Sequence, residues 1–178
     1  MIPIEQAVAK IKVAVEARSS PDFLIIARTD ARTNLALDEA LRRGRAFADA
    51  GADIIFVESP ESVEEMARIG ATLGDVPLLV NAVEGGKTPL LSKERYIELV
   101  YQMAIYPATA FLAMGKALKS VYTQLRDFGD SKGCSEELAD FKGFCKTMGF
   151  ERVWEFDKAH ADIEEEVDEQ ILKKRRVA

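Results

Sequence analysis

FLIIARTDAR, residues 23–32, places the apolar run Phe23 to Ala27 directly before Arg28, Thr29, Asp30 and Arg32. A run this short, bounded by SSPD before it and a polar loop after it, has the length of a buried strand rather than a helix. Its charged end is therefore predicted to lie at the carboxyl end of that strand. The arrangement returns three times: DIIFVE (53–58) ends in Glu58, PLLVN (77–81) in Asn81, and MAIY (103–106) in Tyr106.

Helical patterns separate these runs. Ile4, Ala7, Val8, Ile11, Ala14 and Val15 recur at three- and four-residue spacing, predicting a helix from Ile4 to Arg18 with Pro3 at its start. Leu37 to Ala50 has the same period and stops at Gly51, which accepts a left-handed backbone without a Cβ clash. Ser59, with Pro60 at the first helical position, is expected to cap the next helix, and Ser92 to cap SKERYIELV. A long helix is expected from about Pro107 to Phe128. Four strand–helix units at intervals of roughly 25 residues predict an α/β fold with right-handed βα connections around a parallel sheet. The unbroken apolar strands predict a sheet covered on both faces. After DFGDSKGCS only helices are expected, from about Glu136 to Thr147 and from Phe150 to about Glu165. Phe141, Phe144, Phe150, Val153, Trp154 and Phe156 read as core or interface packing on them.

Bulk composition excludes several function classes. The chain has 178 residues, 48% apolar, with a net charge of −6, as one globular domain with a real core would. An acidic total offers no attraction to nucleic acid or anionic lipid; KKRR at 173–176 is the one basic run and reads as a solvated end. No apolar run approaches the ~18 residues of a membrane span, and the N-terminus lacks a signal-peptide core, so a cytoplasmic protein is expected. Two cysteines, Cys134 and Cys145, and a single histidine give no zinc spacing and suggest free thiols. No Ser-His-Asp arrangement, GxGxxG or P-loop is present.

Parallel α/β proteins bind ligands at the carboxyl ends of their strands. There this chain carries Arg28, Thr29 and Asp30, then Glu58, then Asn81 and Glu84, then Tyr106. Each has a structural reading: Arg28 and Asp30 as an ion pair, Glu58 as a helix cap or a balance for Arg28, Asn81 and Gly85-Gly86 as turn residues. Four polar strand ends on one rim favour a shared site. Arg28 suits a fork of hydrogen bonds to a carboxylate or phosphonate, while Glu58 and Asn81 suit a hydroxyl, a carbonyl or a metal-bound water.

IARTDAR, GADIIFVESPES, NAVEGGKTP and AIYPATAFLAM, in this order, together with FKGFCKTMGFERVWEFDK near the end, resemble the isocitrate lyase/phosphoenolpyruvate mutase superfamily. The closer likeness is to its methylisocitrate lyase, dimethylmalate lyase, oxaloacetate-acting and carboxyphosphonoenolpyruvate mutase branch. The resemblance implies the C-terminal half of a (β/α)8 TIM barrel. Residues 1–128 would carry βα units 5 to 8, and 129–178 a helical extension packing on a neighbouring subunit. It implies a Mg²⁺-dependent lyase or phosphonomutase acting on C–C or P–C bonds of small 2-oxo or 2-hydroxy carboxylic acids through an enolate-like intermediate. It also implies a homo-oligomer that exchanges a C-terminal helix. Arg28, Glu58, Asn81, Ala82 and Val83 would bind the carboxylate substrate, with Asp30 and Glu84 in support. The family's Mg²⁺ ligands and catalytic cysteine loop belong to strands that this chain lacks, so no metal ligand is expected here. Leu112 stands where methylisocitrate lyases carry an arginine for a substrate carboxylate, and EGG at 84–86 replaces their Glu-Phe-Gly. Two functions follow as expectations: a partial chain of such an enzyme, or a non-catalytic half-barrel subunit or binding module.

Overall fold

The computed structural model describes residues 1–161; KKRR and the expected helix end near Glu165 lie outside them. The order of elements is α1 (Ile4–Ala17), β1 (Ile26–Thr29), α2 (Ala31–Asp49), β2 (Ile54–Val57), α3 (Val63–Leu73), β3 (Leu78–Asn81), α4 (Lys93–Glu98), β4 (Met103–Ile105) and α5 (Thr109–Phe128). A 3-10 turn (Lys132–Glu137), α6 (Phe141–Thr147) and a helix over 150–161, α7, follow. The four strands form one parallel sheet in the order β1-β2-β3-β4. This is a partial TIM-barrel architecture. The chain divides into two compact units, Met1–Gly115 and a second beginning at Lys116. None of the described helices is long and apolar enough to cross a membrane.

Alternation along the strands sorts residues between two faces. On the helix-covered face Ala27, Ile55, Val57, Leu78 and Val80 meet Leu37, Leu41 and Phe47 of α2 and Met66, Ile69 and Leu73 of α3. Each fully buried side chain of this size contributes about 1.5–3 kcal/mol of transfer free energy. On the other face the register runs Arg28–Phe56–Leu79–Met103, and Ile54, Phe56 and Leu79 form a small buried cluster of their own. The expectation of a sheet covered on both faces is corrected here. Central strands are covered, but Ile26 on β1 and Met103 and Ile105 on β4 are exposed at the two edges.

Other expectations shift for local reasons. β1 starts at Ile26 rather than Phe23, because Asp53 takes the Ile25 N–H at 2.8 Å and Arg18 at 2.7 Å, anchoring the chain just before the first ladder bond. Arg28 and Thr29 therefore belong to the strand itself. Ser62, not Ser59, caps α3, accepting the Glu65 N–H at 3.2 Å; Ser59 has φ 58° and donates to Glu58 Oε1 at 3.1 Å. Ser92 caps α4 as expected, and Gly51 ends α2 at φ 97°. The helix expected from Glu136 begins at Phe141, where the Asp140 carboxylate accepts the Gly143 N–H at 2.6 Å. Cys134 and Cys145 are free and buried. The aromatics of α6 and α7 are exposed in the single chain, so they are not its core; Phe150 and Trp154 touch with ring centroids 6.1 Å apart.

α2 is not one continuous helix. Ala36 breaks it at φ 73°, ψ 169°, a region open to glycine and strained for any residue with a Cβ. Ala36→Gly is expected to raise unfolding free energy by about 1 kcal/mol, read as a higher urea midpoint at unchanged slope.

Candidate functional site

The rim is built from three consecutive strand ends. β1 places Arg28 on the sheet face away from the helices, opposite Phe56 of β2, so that the guanidinium carbon lies 5.0 Å from the centre of the Phe56 ring. Asp30, just beyond β1, accepts from Arg28 Nη2 at 2.7 Å and Nε at 3.2 Å. Glu58, one residue past β2, brings Oε2 to 3.2 Å from Arg28 Nη2. That contact is close enough for charge attraction but outside hydrogen-bond geometry. Asn81, at the end of β3, donates from Nδ2 to Glu58 Oε1 at 3.4 Å. Asp30, Arg28, Glu58 and Asn81 thus form one connected chain of polar contacts. Its hydrogen bond to Asp30, with attraction from Glu58, holds the Arg28 guanidinium more firmly protonated than usual, against a smaller opposing effect of burial.

Two polar atoms of this chain are unfinished. Glu58 Oε2 and Asn81 Oδ1 are buried and have no hydrogen-bond partner among the described residues. A buried acceptor left unpaired costs about 1–3 kcal/mol, so both point to a donor that the four strands do not supply.

The remaining expected residues fall elsewhere. Thr29 is buried and accepts the Ala31 N–H at 3.3 Å. Ala82 is fully buried and gives its N–H to Ile105 O at 2.9 Å; Val83 O accepts the Gly86 N–H at 3.0 Å, closing a tight turn. Glu84 stands apart, holding the Thr109 hydroxyl with Oε1, which keeps its carboxyl below the ordinary range, while Oε2 is unpaired. Tyr106 lines an apolar groove of about 540 Å³ with Ile97, Val100, Tyr101 and Met103. Sequence reasoning missed Phe56 beneath Arg28 and Thr109 on Glu84. The strand period alone would have put Phe56 on the face of Glu58, two residues on.

A second charged cluster ties α2 to α3 and to the loops carrying Glu61 and Lys87. Arg32 grips Glu65 through Nε at 2.9 Å and Nη2 at 2.7 Å and reaches Glu61 at 2.6 Å, and Lys87 joins Glu61 at 3.2 Å. The Glu65 carboxyl is held below its ordinary value of 4.5 chiefly by Arg32, and that of Glu61 by Lys87 and then Arg32. A depressed folded-state pKa contributes stability that is fully present above about 4.5 and is lost as pH falls through the lowered value. Arg32→Gln should therefore flatten the acid side of the stability profile below about pH 4.5 while changing little of its slope between neutral pH and that point. Urea midpoints measured across that range test it; an unchanged acid limb would show that the cluster is too well solvated to matter.

The phosphoenolpyruvate phosphomutase family model matches residues 1–126. 2,3-Dimethylmalate lyase of Eubacterium barkeri is 45% identical over 157 residues, covering 88% of this chain and 54% of the lyase. 2-Methylisocitrate lyase of Salmonella typhimurium is 43% identical over 130 residues, covering 72% and 43%. Among solved structures, oxaloacetate acetylhydrolase in complex with 3,3-difluorooxalacetate superposes with TM-score 0.80 at 29% identity, covering 90% of this chain and 54% of that one. Phosphonopyruvate hydrolase in complex with oxalate and Mg²⁺ gives TM-score 0.78 at 30%, covering 89% and 56%. The chain spans about half the length of the curated relatives it matches. A family model matching residues 1–126, and a relative 45% identical over 88% of the chain, show that the chain belongs to the phosphoenolpyruvate mutase/isocitrate lyase superfamily.

Proposed function

We propose that this chain is the substrate-gripping half of a Mg²⁺-assisted lyase or phosphonomutase acting on C–C or P–C bonds of small 2-oxo or 2-hydroxy carboxylic acids through an enolate-like intermediate. The observation that carries it is the Asp30–Arg28–Glu58–Asn81 chain, with two buried acceptors unpaired beside a half-exposed guanidinium. Arg28 offers a planar fork to a carboxylate, and Asp30 and Phe56 fix the plane of that fork. Glu58 Oε2 and Asn81 Oδ1 accept from a substrate hydroxyl or its protonated enol. Ala82 and Val83 shape the adjoining loop, and Glu84, held by Thr109, supports it. Leu112 presents no charge to a further carboxylate, which favours smaller acids than a tricarboxylate.

The residues do not fit the metal. Among the described residues no three His, Cys, Asp or Glu side chains converge on a cation site, and Glu58 and Asp30 are both committed to Arg28. This half binds and orients the carboxylate, and no step is assigned to Mg²⁺ on it. The same observation favours the second reading, a non-catalytic half-barrel subunit or binding module. Helix exchange between copies is supported by α5, which buries none of its residues, and by the exposed aromatics of α6 and α7.

Titration of the purified chain with oxalate, followed by calorimetry, tests the rim. Binding of about millimolar strength, unaltered by Mg²⁺, is expected, together with negligible pyruvate release from 2-oxo and 2-hydroxy acid substrates. Absent oxalate binding would remove the rim from the site; Mg²⁺-dependent turnover by this chain alone would show that its residues do hold the metal.

A further inference from the structure

α2 begins with a turn that its own helix does not hold. Ala36 breaks the helix at φ 73°, ψ 169°, so residues 31–35 stand apart from the helix body that starts at Leu37. Asp30 occupies the N-cap position, where an aspartate ordinarily accepts a backbone N–H of the first turn, but its side chain makes no such bond. Its carboxylate is taken up by Arg28 instead, at 2.7 Å. Packing adds little. Ala31 is buried and gives its N–H to Thr29 Oγ1 at 3.3 Å, while Thr33, Asn34, Leu35 and Ala36 are all exposed. A segment with so few buried contacts opens far more easily than the fold as a whole unless something else fastens it.

Arg32 supplies that fastening. Its guanidinium takes both Glu65 oxygens, from Nε at 2.9 Å and from Nη2 at 2.7 Å, and Nη1 meets Glu61 at 2.6 Å. One turn further along α3, on the same face as Glu65, Arg68 pairs with Asp38 just beyond the break. α3 thus ties both sides of the break, with the polarity of the pair reversed between them. The two ties are unequal. The Arg68 and Asp38 side chains are 56% and 79% exposed, an ion pair that water and salt weaken, whereas Arg32 is 17% exposed and bidentate.

We infer that Arg32 is a positioning residue for the carboxylate grip: it clamps the separate first turn of α2 to α3, and so fixes Asp30 at the head of that turn and, through Asp30, the plane of the Arg28 guanidinium. The inference rests on the reading of Arg28 as the group that takes the substrate carboxylate, and adds the residue that aims it. Phe56 bounds Arg28 from one side whether or not Asp30 is held, so loosening the turn blurs the fork without removing it. The side of the break matters. Arg68 and Asp38 hold the body of α2, which carries none of Asp30, Arg28, Glu58 or Asn81, so cutting that pair leaves Arg28 as it was.

Exchange of the Arg28 Nε–H with water, followed by heteronuclear NMR on the full chain and assigned by its loss in Arg28→Lys, tests the link without any ligand. Arg32→Gln is expected to speed that exchange by about fivefold or more and to weaken oxalate binding about fivefold, as a fork no longer held in its bound orientation would. Arg32→Lys keeps the charge but not the fork and should lie between. Arg68→Gln is expected to leave both readings within about twofold of the parent. Circular dichroism at neutral pH checks that each variant folds; should Arg32→Gln fail to fold, Glu65→Gln, which loosens the same clamp from α3, is read in its place. Unchanged Arg28 exchange in the folded variant overturns the inference. So does an Arg68→Gln protein in which Arg28 exchange rises as much, since the clamp would then act on general stability alone. If the parent binds no oxalate, the reading of the rim fails by itself, and Arg28 exchange still decides whether Arg32 positions the guanidinium.

Discussion

Gly70→Ala is expected to lower folding stability by about 3 kcal/mol, at the upper end of what overpacking costs, although alanine is intrinsically the better helix former by roughly 1 kcal/mol. Gly70 lies on α3 where the strap after α4 crosses it. A Cβ there would stand 2.4 Å from Leu99 O and 2.8 Å from Val100 Cγ2. The first of these is backbone and cannot rotate away. The strap has no slack either: Val100 already holds φ 58°, costly for a β-branched residue, and its N–H is bound to Ile97 O at 2.9 Å. To admit the methyl group, α3 must lift from the strap that leads into β4, which disturbs the pairing of Asn81 with Ile105. In a chain of this size the loss corresponds to a fall in Tm of about 6–12 °C. Gly115→Ala in α5, where nothing lies within 4 Å of the added Cβ, should instead be neutral or slightly stabilising. A Gly70→Ala protein as stable as the parent would mean that α3 and the strap are not in close contact in solution.

The fold was legible because each βα unit announces itself twice, by a short apolar run and by a 3.6-residue period after it. What failed was local. Phe23 and Leu24 are apolar enough to open a strand, but no period reveals that Asp53, 28 residues beyond Ile25, takes the Ile25 N–H and sets where pairing begins. Ser59-Pro60 reads as a cap and first turn. The competing signal was Ser62 with Glu65 three residues later, which is the cap observed. Covered faces were over-read: unbroken apolar strands belong to a sheet with layers on both sides, and here Ile26, Met103 and Ile105 are exposed on one side at the two edges. The rim was legible in part, since strand ends order themselves once the sheet is parallel. The direction of each side chain was not. Arg28 and Glu58 meet because strand parity and register coincide, whereas Glu84, three residues past Asn81 across a turn, is carried off to Thr109.

Arg28→Met should weaken oxalate binding by at least thirtyfold, about 2 kcal/mol, without a matching loss of stability. Methionine keeps the long apolar stem over Phe56 and removes the fork, the only cation in the Asp30–Arg28–Glu58–Asn81 chain. Arg28→Lys keeps the charge but not the bidentate plane, so recovery should be partial. Glu58→Gln separates gripping from holding. Its Oε2 lies 3.2 Å from Arg28 Nη2 and competes with any incoming carboxylate for that charge. Removing the negative charge while keeping the shape should tighten oxalate binding, by about threefold to tenfold after allowance for solvent screening around a half-exposed guanidinium. Added salt should weaken binding to the parent more than to Arg28→Met. If Arg28→Met bound oxalate as well as the parent, the anion would be held elsewhere, and Arg28 and Asp30 would be no more than an ion pair at a strand end. If instead Glu58→Gln abolished binding, the carboxylate of Glu58 would itself be contacting the ligand, through a proton it shares with an acid, and the order of roles along the rim would reverse.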